Sequence, residues 1–595
     1  MRGVNVTSRQ AKVHRRASPI AHTWTERFVS GAALPAVAAW LMATLINLLL
    51  LFIFYMTFVE GIPTEPVFTL ANYQEVFNFR FFEIVINTVL VGIGTTLVST
   101  FFGVSMAWLI NRTDVPFKGL MMSLVAVSVI IPGFMIAMGW ILLLSPRIGL
   151  VNLALIHAFD LPAAPFNIVG LSGVAWVQGL MLTPTIFFLV SGPMRSLDPA
   201  LEEAAEVSGA TRWHTLWQIS MPLLWPATLA GMIYTFMTAI SIFEVAGILV
   251  GLGTDVPLLA TQLFVKTAGS SIGSALPQYG LSGVYGLVIA APSLIAMYFY
   301  FQVIRQSHRY VVVTGKGYRP NLTPLGRLRY LGLLFCLGYV GLAVGLPFVV
   351  LLWTSLLPTL KLPTAEAFAS LTLANFAAVP YAVDKTVLRN TVLLVLTAPV
   401  VVLFFALMMS WVVVRTGLRG RQVLDTVAML PHAIPGIGFA FAILILGMFM
   451  ARYLPALPFY GTVGMLVLAN VINRLAYATR VTNAALIQVS QELEDAAATC
   501  GSGRLGTIWR VLLPLIGPSL LFAGLWTALL VFRELSMALM LTGPDNVVLA
   551  ARAWSLWFRG ALGEGAALSV VMVVVMAMLF LVAQRLFRSK LYTDV

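Results

Sequence analysis

The sequence predicts an all-α membrane protein with about 12 transmembrane helices, arranged as two tandem, parallel six-helix domains. Three observations support this prediction. The 595 residues are 59% hydrophobic and 10% charged, whereas a soluble domain carries about 25% charged residues. Apolar runs of about 20 residues, the length that crosses the hydrocarbon core of a bilayer, recur along the chain. The second part of the chain also repeats motifs of the first part at constant spacing.

The apolar runs cover most of the chain and are separated by short polar loops. Their centres lie near Leu45, Gly94, Val129, Leu182, Met232, Val288, Gly341, Val400, Ile443, Val467, Phe522 and Val573. We expect a further re-entrant or interfacial segment around residues 151–158. Residues 1–30 are polar and basic and lack the apolar stretch and cleavage site of a signal peptide, so they are expected to form a cytoplasmic N-terminal segment.

The basic residues indicate the orientation of the chain in the membrane. The net charge is +13, but lysine and arginine are concentrated before the first span and in short loops, which is typical of cytoplasmic loops rather than of a nucleic-acid-binding surface. These residues are Arg2, Arg9, Lys12, Arg15, Arg16, Arg112, Lys118, Arg305, Arg309, Lys316, Arg319, Arg327, Arg329, Arg415, Arg419, Arg421, Arg585, Arg588 and Lys590. The pattern predicts a multi-pass protein with both termini in the cytoplasm and no nucleic-acid partner.

An internal duplication divides the chain into two similar halves. Four motifs of the first half return 303 residues later: Thr69–Tyr73 as Thr372–Phe376, Asn87–Leu90 as Asn390–Leu393, Arg112-Thr113 as Arg415-Thr416, and Ile131–Gly133 as Ile434–Gly436. Six spans in each half is an even number, so both halves have the same orientation and inverted repeats are excluded. We expect a first domain at 31–304, a cytoplasmic linker at 305–327, a second domain at 328–588 and a cytoplasmic tail at 589–595.

Two polar segments with equal internal spacing interrupt the apolar pattern, at 198–222 and 490–514. The first contains Glu203-Ala204-Ala205, Gly209 and Pro222, and the second contains Asp495-Ala496-Ala497, Gly501 and Pro514. Asp198 and Ser490 are favoured N-cap residues. The acidic residues of the first turns, which suit the positive end of a helix dipole, are Glu202, Glu203, Glu492, Glu494 and Asp495. Each glycine can adopt the left-handed conformation that ends a helix, so each segment predicts a short helix, a turn and a second short helix before the next span.

Because this segment occurs in the same loop of both halves, a docking element is favoured over an ordinary loop of two capped helices. Both copies resemble the cytoplasmic E-A-A-x-x-x-G-x9-I-x-L-P loop of permease subunits in type I binding-protein-dependent ABC importers, with Met221, Asp495 and Val511 as departures. The resemblance covers nearly the whole chain as two fused permease domains. It implies that the following residues form coupling helices that contact ATPase subunits: Glu203, Ala204, Ala205, Gly209, Asp495, Ala496, Ala497 and Gly501.

The resemblance also implies partners and a mechanism. Two copies of a cytoplasmic ABC ATPase would bind ATP and Mg, an extracytoplasmic solute-binding protein would deliver the solute, and the solute would cross a prokaryotic inner membrane by alternating access. The segments Phe532–Leu535 and Thr314–Pro320 look most like those of ferric-iron importer permeases. Relatives for thiamine, polyamines, phosphonates and sugar phosphates are alternatives. An ion-coupled secondary carrier is less favoured, because the sequence offers no mid-span carboxylates of the kind that cation coupling needs.

The chain is not expected to be an enzyme. It contains no G-x-x-x-x-G-K-[ST] motif for binding ATP phosphates and no H-E-x-x-H zinc motif. Its six histidines are scattered, so we predict no catalytic residues, no metal site and no cofactor in this chain. Cys336 and Cys500 are far apart and are expected to be inert packing residues.

Three charged residues near the ends of two spans are candidates for a gate: Glu244, Arg533 and Glu534. Glu244 lies 22 residues after Pro222 and Glu534 lies 20 after Pro514, about 30 Å along the helix and near the outer ends of spans five and eleven. Ionisable groups within a membrane usually face a cavity or a charged partner. A structural Arg533–Glu534 pair or an interfacial cap is an equally weighted alternative.

Other charged and proline residues have simpler interpretations. Arg474 and Arg480 are interpreted as interfacial anchors near the inner end of span ten. Pro132-Gly133 and Pro435-Gly436 are expected to break spans three and nine. Broken helices often border a pathway because their free backbone groups need a polar lining, but a simple packing kink remains an alternative.

Overall fold

The computed structural model describes residues 33–197, 202, 204–205, 207–252, 256–269, 276–307 and 322–591. The predicted N-terminal segment at 1–30 lies outside these residues, as do most of the linker (308–321) and the end of the tail (592–595). The described chain is almost entirely helical, with one small antiparallel sheet of β1 (Val59–Glu60) and β2 (Val67–Phe68). The predicted all-α class is therefore confirmed.

The first half begins with a long helix and ends at the linker. Its helices are α1 (Ala33–Met56), α2 (Ala71–Val76), α3 (Phe79–Arg112), α4 (Lys118–Ser128), α5 (Gly133–Leu144), α6 (Leu150–Phe159), α7 (Leu171–Ser196), α8 (Met221–Ser241), α9 (Glu244–Leu249), α10 (Leu259–Ala268) and α11 (Tyr279–Ser307). A helical turn (Arg212–Thr215) and a π-helical segment (Leu216–Ser220) lead directly into α8.

The second half repeats this order. Its helices are α12 (Arg329–Val340), α13 (Leu346–Ser355), α14 (Ala365–Ala369), α15 (Ala374–Ala382), α16 (Lys385–Arg415), α17 (Arg421–Ala433), α18 (Gly436–Tyr453), α19 (Val463–Gln488), α20 (Glu492–Thr499), α21 (Leu513–Phe532), α22 (Ser536–Leu541), α23 (Leu549–Phe558) and α24 (Leu562–Leu591). Shorter pieces are a 3-10 turn (Gly326–Leu328), a helical turn (Arg504–Thr507) and π-helical segments at Gly341–Gly345 and Ile508–Leu512.

The duplication is visible in the helix boundaries. The bounds of α19 lie 292 residues beyond those of α7, and the bounds of α22 lie 292 residues beyond those of α9. The first half has an additional short apolar helix, α6, between the helices that match α18 and α19. This helix is the extra segment that the sequence predicted around residues 151–158.

The number of spans differs from the prediction. In the described residues, 10 helices are long and apolar enough to cross a membrane, and the bent pair α4–α5 makes up to 11, one fewer than the twelve expected. The run centred near Val467 is the one outside this count, and it forms the 26-residue helix α19. Arg474 and Arg480 lie within α19 and lower its hydropathy, although the duplication matches it to α7.

Prolines at repeated positions shape the helices. Pro132 and Pro435 directly precede the first residues of α5 and α18, so both predicted breaks are confirmed. The break at Pro132 separates α4 from α5, and this helix pair is bent by 96°. Because α5 turns so sharply, its N-terminus at Gly133 lies inside the protein rather than continuing the line of α4.

A second pair of prolines produces π-helical segments. We expected Pro222 and Pro514 to open the next span after a separate short helix. Instead, the chain is helical from Arg212 and from Arg504, and each proline is the second residue after a π segment. A proline has no N–H, and its ring clashes with the carbonyl four residues earlier. The wider π turn accommodates this clash without ending the helix.

The two halves are interlocked through their first helices. Helix α1 packs against α16, α17 and α18 of the second half, and α13 packs against α5 of the first half. Phe52 stacks on Phe449 with ring centroids 5.4 Å apart. In the reciprocal contact, the buried Tyr339 hydroxyl donates a hydrogen bond to the backbone oxygen of Leu180 at 3.0 Å. Each half therefore buries apolar surface against the first helices of the other half.

Two repeated asparagines, Asn72 and Asn375, bind the backbone at equivalent places in the two halves. The Asn72 side chain donates to the backbone oxygens of Thr57 and Val59. Asn375 makes the same pair of bonds to Ser355 and Leu357. Each asparagine thus binds the backbone that follows the first helix of its half. Buried backbone carbonyls need such partners, so these repeated residues have a structural role.

Candidate functional site: two repeated loops and a charge cluster

The first repeated loop contains a short helix and a glycine turn. Residues 202, 204, 205 and 207 are helical, while Asp198, Pro199 and Glu203 lie outside the described residues. Gly209 has φ +85°, and the N–H of Ala210 donates to the oxygen of Ala205 at 2.9 Å. This bond and the positive φ are the features of a Schellman turn at a helix C-terminus.

The second loop has the same geometry. Helix α20 ends before Gly501, which has φ +82°, and the N–H of Ser502 donates to the oxygen of Ala497 at 3.0 Å. The predicted left-handed turns are therefore confirmed in both loops. The predicted cap is placed one residue differently, because Gln491 is the N-cap of α20 and the Ser490 hydroxyl accepts from the N–H of Glu492 at 3.3 Å.

Each loop helix presents most of its surface outward. In α20, Asp495 and Ala496 are exposed, whereas Glu494 and Ala497 are partly buried. In the first loop, Ala204 is exposed and Ala205 is partly buried. Residues three positions apart share one face of a helix, so α20 rests on the membrane domain by one face only. The opposite face, which carries the motif acid and the first motif alanine, is open to a partner.

Each loop is also bound to a buried arginine, which the sequence suggested only as a topology signal. Arg112 is the last residue of α3, and its Nη2 lies 3.3 Å from Glu202 Oε1. Arg415 is the last residue of α16, and its Nε lies 2.7 Å from Glu494 Oε1. Burial raises the pKa of Glu494 above the usual glutamate value, and Arg415 opposes that shift. The sequence signal for these pairs was the repeated Arg-Thr motif together with the acid before each E-A-A or D-A-A motif.

A second cluster of charges lies between the halves. It contains all three candidate gate residues and Arg474. The Nη1 of Arg533 donates to the backbone oxygens of Val129 and Ile131 in the first half. Arg474 Nη2 lies 2.9 Å from Glu534 Oε2. The structure thus brings Glu244, Arg533 and Glu534 into one neighbourhood.

The cluster corrects several expectations. Arg474 is not an anchor at the inner end of its helix, because it lies in the middle of α19 and pairs with Glu534. Glu534 forms its ion pair with Arg474, while Arg533 donates to carbonyls of the other half, so the two neighbouring residues bind different partners. Arg480 binds Asp425 Oδ1 at 3.0 Å and is likewise more than an anchor.

Glu244 and Glu534 do not occupy equivalent positions in the two halves. Helix α9 begins at Glu244, and its counterpart α22 begins at Ser536, so Glu534 precedes the equivalent position by two residues. The Glu244 carboxylate lies against the backbone of Gly133, the first residue of α5. A helix N-terminus carries positive partial charge and favours a carboxylate there. The cluster is therefore asymmetric, with one charged residue from the first half and three from the second.

Cys336 is buried, as expected, whereas Cys500 is exposed after α20, so its predicted packing role is wrong. In the described part of the chain, no group of three or more His, Cys, Asp or Glu side chains is placed to hold a metal ion.

The duplicated helical fold and its two repeated loops define a membrane permease of a solute transport system. The sequence matches the family described as "Binding-protein-dependent transport system inner membrane component" at residues 99–309 and 370–591. The chain belongs to this family and carries the family's domain twice. It is accordingly a multi-pass membrane protein and the permease component of an ABC importer.

Two similar proteins match most of its length, and a third matches about a third of it. The chain is 26% identical over 495 residues to a ferric transport system permease protein FbpB of Actinobacillus pleuropneumoniae, covering 82% of this chain and 68% of that protein. It is 25% identical over 542 residues to a putative FbpB 1 of Haemophilus influenzae, covering 87% and 80%. A molybdate/tungstate permease protein WtpB of Thermococcus kodakarensis is 27% identical over 212 residues, covering 36% of this chain and 73% of that protein.

Proposed function

We propose that this permease imports ferric iron across the inner membrane. An extracytoplasmic binding protein delivers the iron, and ATP hydrolysis drives its transport. The observation that carries the proposal is the pair of equivalent loops, each with a short helix whose motif face is open. Two loops at matched positions of a duplicated permease suit a partner that is itself present in two copies.

The partners would be two copies of a cytoplasmic ABC ATPase that bind ATP and Mg. Their contacts would be the coupling residues predicted from the sequence: Glu203, Ala204, Ala205, Gly209, Asp495, Ala496, Ala497 and Gly501. The loops, the linker and both termini would then lie in the cytoplasm, in agreement with the positive-inside rule. The permease would perform no bond chemistry of its own.

Ferric iron is the proposed solute because the two relatives that match most of the chain are named as ferric transport permeases. Relatives with other solutes align with about a third of the chain, and they include molybdate/tungstate and 2-aminoethylphosphonate permease proteins. Molybdate, tungstate and phosphonates are therefore the competitors to test.

The charge cluster is proposed to close the pathway between the halves. Arg533 reaches across to the carbonyls of Val129 and Ile131, beside the break between α4 and α5. Opening a passage between the halves would separate Arg533 from these carbonyls. Glu244 and Glu534 would hold the two arginines in the closed arrangement and so set how readily the passage opens.

Transport by the full complex tests the proposal. The chain is co-expressed with a candidate ABC ATPase and a candidate solute-binding protein from the same organism, purified and reconstituted into liposomes. We expect uptake of radiolabelled ferric iron that needs ATP, ATPase and binding protein together, with no competition by molybdate or 2-aminoethylphosphonate. Uptake of one of those anions instead would overturn the iron assignment. Uptake driven by an ion gradient without the ATPase would overturn the importer mechanism.

A further inference from the structure

Each repeated loop is held by the same set of contacts to a single buried arginine. The Arg112 and Arg415 side chains are 4% and 9% exposed. In addition to its ion pair with a glutamate, each arginine donates a hydrogen bond to a backbone oxygen. Arg112 donates to that of Leu197 at 3.4 Å, and Arg415 donates to that of Val489 at 2.6 Å. The two arginines are 303 residues apart in the sequence, whereas their partners are 292 apart. The contact has therefore been kept although the length of chain between arginine and loop has changed.

The contact uses the inner face of each loop helix. Glu202 and Glu494 directly precede the motif acids, and they are partly buried on the face that rests on the membrane domain. Asp495, one position later, is exposed. Neighbouring residues on a helix point about 100° apart, so one acid binds the arginine while the next stays on the open face. Holding the loop and docking a partner are thus separate tasks of adjacent residues.

The arginine connects the loop to a helix that reaches the opposite side of the protein. Helix α16 has 31 residues, a length of about 46 Å. Near its other end, Asn390 Nδ2 donates to the backbone oxygen of Asp545 at 2.8 Å, and the Thr391 hydroxyl accepts from the N–H of Leu549 at 3.0 Å. These bonds hold the segment that leads into α23.

The first half has the same arrangement on α3. The Thr88 hydroxyl accepts from the N–H of Leu259, the first residue of α10, at 3.0 Å. The side chain of Asn87 donates to the backbone oxygen of Pro257 at 3.4 Å. Each long helix is therefore bound to a repeated loop at one end and to the start of α10 or α23 at the other.

We infer that Arg112 and Arg415 are positioning residues that transmit movement of the coupling helices to α3 and α16, and through them to the segments before α10 and α23. This inference rests on the proposed function, because an ATPase must move the loops. Removing the arginine would leave a partly buried carboxylate and backbone carbonyls without their charged donor, which is costly. The loop could still dock by its open face, but its movement would no longer pull on the long helix.

The test compares variants of one pair in the complete, reconstituted complex. The variants are Arg415→Ala, Arg415→Lys and Glu494→Gln, with Arg419→Ala as the control because Arg419 is an exposed arginine four residues further along. We expect Arg415→Ala to keep the ATPase bound and hydrolysing ATP while solute transported per ATP falls about tenfold, within the range usual for coupling between sites. Glu494→Gln should give a smaller fall, Arg415→Lys should recover part of the loss, and Arg419→Ala should match the unaltered protein.

A spin label on the exposed Cys500 gives a readout that needs no ATPase. Cys500 directly follows α20, and Cys336 is buried, so the label reports the mobility of this loop. We expect higher mobility in Arg415→Ala than in Arg419→Ala. Equal mobility, or an unchanged ratio of transport to ATP hydrolysis, would overturn the inference.

The design separates this inference from the proposed function. If the unaltered protein binds no ATPase, the proposed function fails, whereas the mobility of the Cys500 label still tests whether Arg415 holds the loop. If Arg415→Ala cannot be purified, two other variants test the contact. Glu494→Gln changes the same pair more mildly, and Arg112→Ala removes the equivalent arginine of the first half. Full coupling in both of these variants would overturn the inference.

Discussion

At the scale of single residues, several repeated polar side chains bind backbone carbonyls at helix ends or in the connections between helices. Asn375 and Asn390 each bind two carbonyls, and Arg415 binds those of Leu486 and Val489. A carbonyl at a helix end has no partner within its own helix, and hydrocarbon offers none either. The polar residues are therefore placed where the backbone would otherwise lack hydrogen bonds.

The charge cluster gives a prediction at this scale. Glu534→Gln removes the charge partner of Arg474, and Glu244→Gln removes the carboxylate beside Gly133. We expect both variants to lose about 1.5–3 kcal/mol of stability, the usual contribution of a hydrogen bond to a charged group, measured by thermal unfolding in detergent. If the cluster is also the gate, both should weaken the stimulation of ATP hydrolysis by loaded binding protein.

The matched control is Glu65→Gln. Glu65 lies 3.6 Å from Arg452, but both side chains are more than 60% exposed, and exposed ion pairs contribute little. This variant should unfold like the unaltered protein. Normal stimulation in both cluster variants would end the gate proposal even if their stability falls.

The sequence located these residues better than it identified their partners. The duplication marked Asn390, Arg415 and the two acidic loop segments, because the same residues return at a constant offset. It could not show that Asn390 binds Asp545, which lies 155 residues further along, since the packing of helices decides such contacts. Arg474 was misplaced because its partner, Glu534, lies 60 residues further along, in the connection between α21 and α22.

At the scale of helices, backbone conformation was predictable wherever glycine or proline required it. The breaks before Gly133 and Gly436 and the left-handed turns at Gly209 and Gly501 follow directly from the chemistry of these residues. The π segments were not predicted, because a proline near the start of a helix usually fits the α conformation. Here the helix begins at Arg212 or Arg504, ten residues before its proline, so the proline lies inside it and the π turn absorbs the clash.

The glycine turns give a prediction at this scale. In Gly501→Val, the new Cβ would meet no atom within 4 Å, so we expect the effect to come from the backbone. A valine at φ +82° costs about 1–2 kcal/mol. We expect the turn to shift and the ATPase to co-purify about tenfold less, and Gly209→Val should act in the same way on the first loop.

Gly503→Val is the control for this substitution. Gly503 lies in the same loop, also has no atom within 4 Å of a new Cβ, and has φ −67°. A valine accepts this conformation, so the ATPase should co-purify normally. Equal effects at Gly501 and Gly503 would show that bulk on the loop surface, rather than the left-handed turn, is what matters.

At the scale of the whole molecule, the parallel halves place both repeated loops on one side of the membrane, and the positive-inside rule predicts that this side is the cytoplasm. Composition and duplication together predicted the helical class and the two-domain order. The count of apolar spans falls one short of the predicted twelve, because α19, the counterpart of α7, carries Arg474 and Arg480, which bind Glu534 and Asp425.

The native Cys500 tests the orientation without any engineered residue. It is exposed after α20, whereas Cys336 is buried. A membrane-impermeant maleimide should label the protein in inverted vesicles and leave it unlabelled in intact cells. A cysteine introduced at Gly317 should behave in the same way, and labelling of either site from outside intact cells would contradict the proposed topology.

The crossing of the first helices also has a consequence for biogenesis. Helix α5 needs α13 to cover it, so the first half cannot complete its packing until more than half of the chain has been synthesised. During that interval α5 exposes to lipid or chaperones a surface that belongs against α13. Joining both halves in one polypeptide keeps the missing helix at high effective concentration. It also favours closure within one chain over exchange of first helices between two chains.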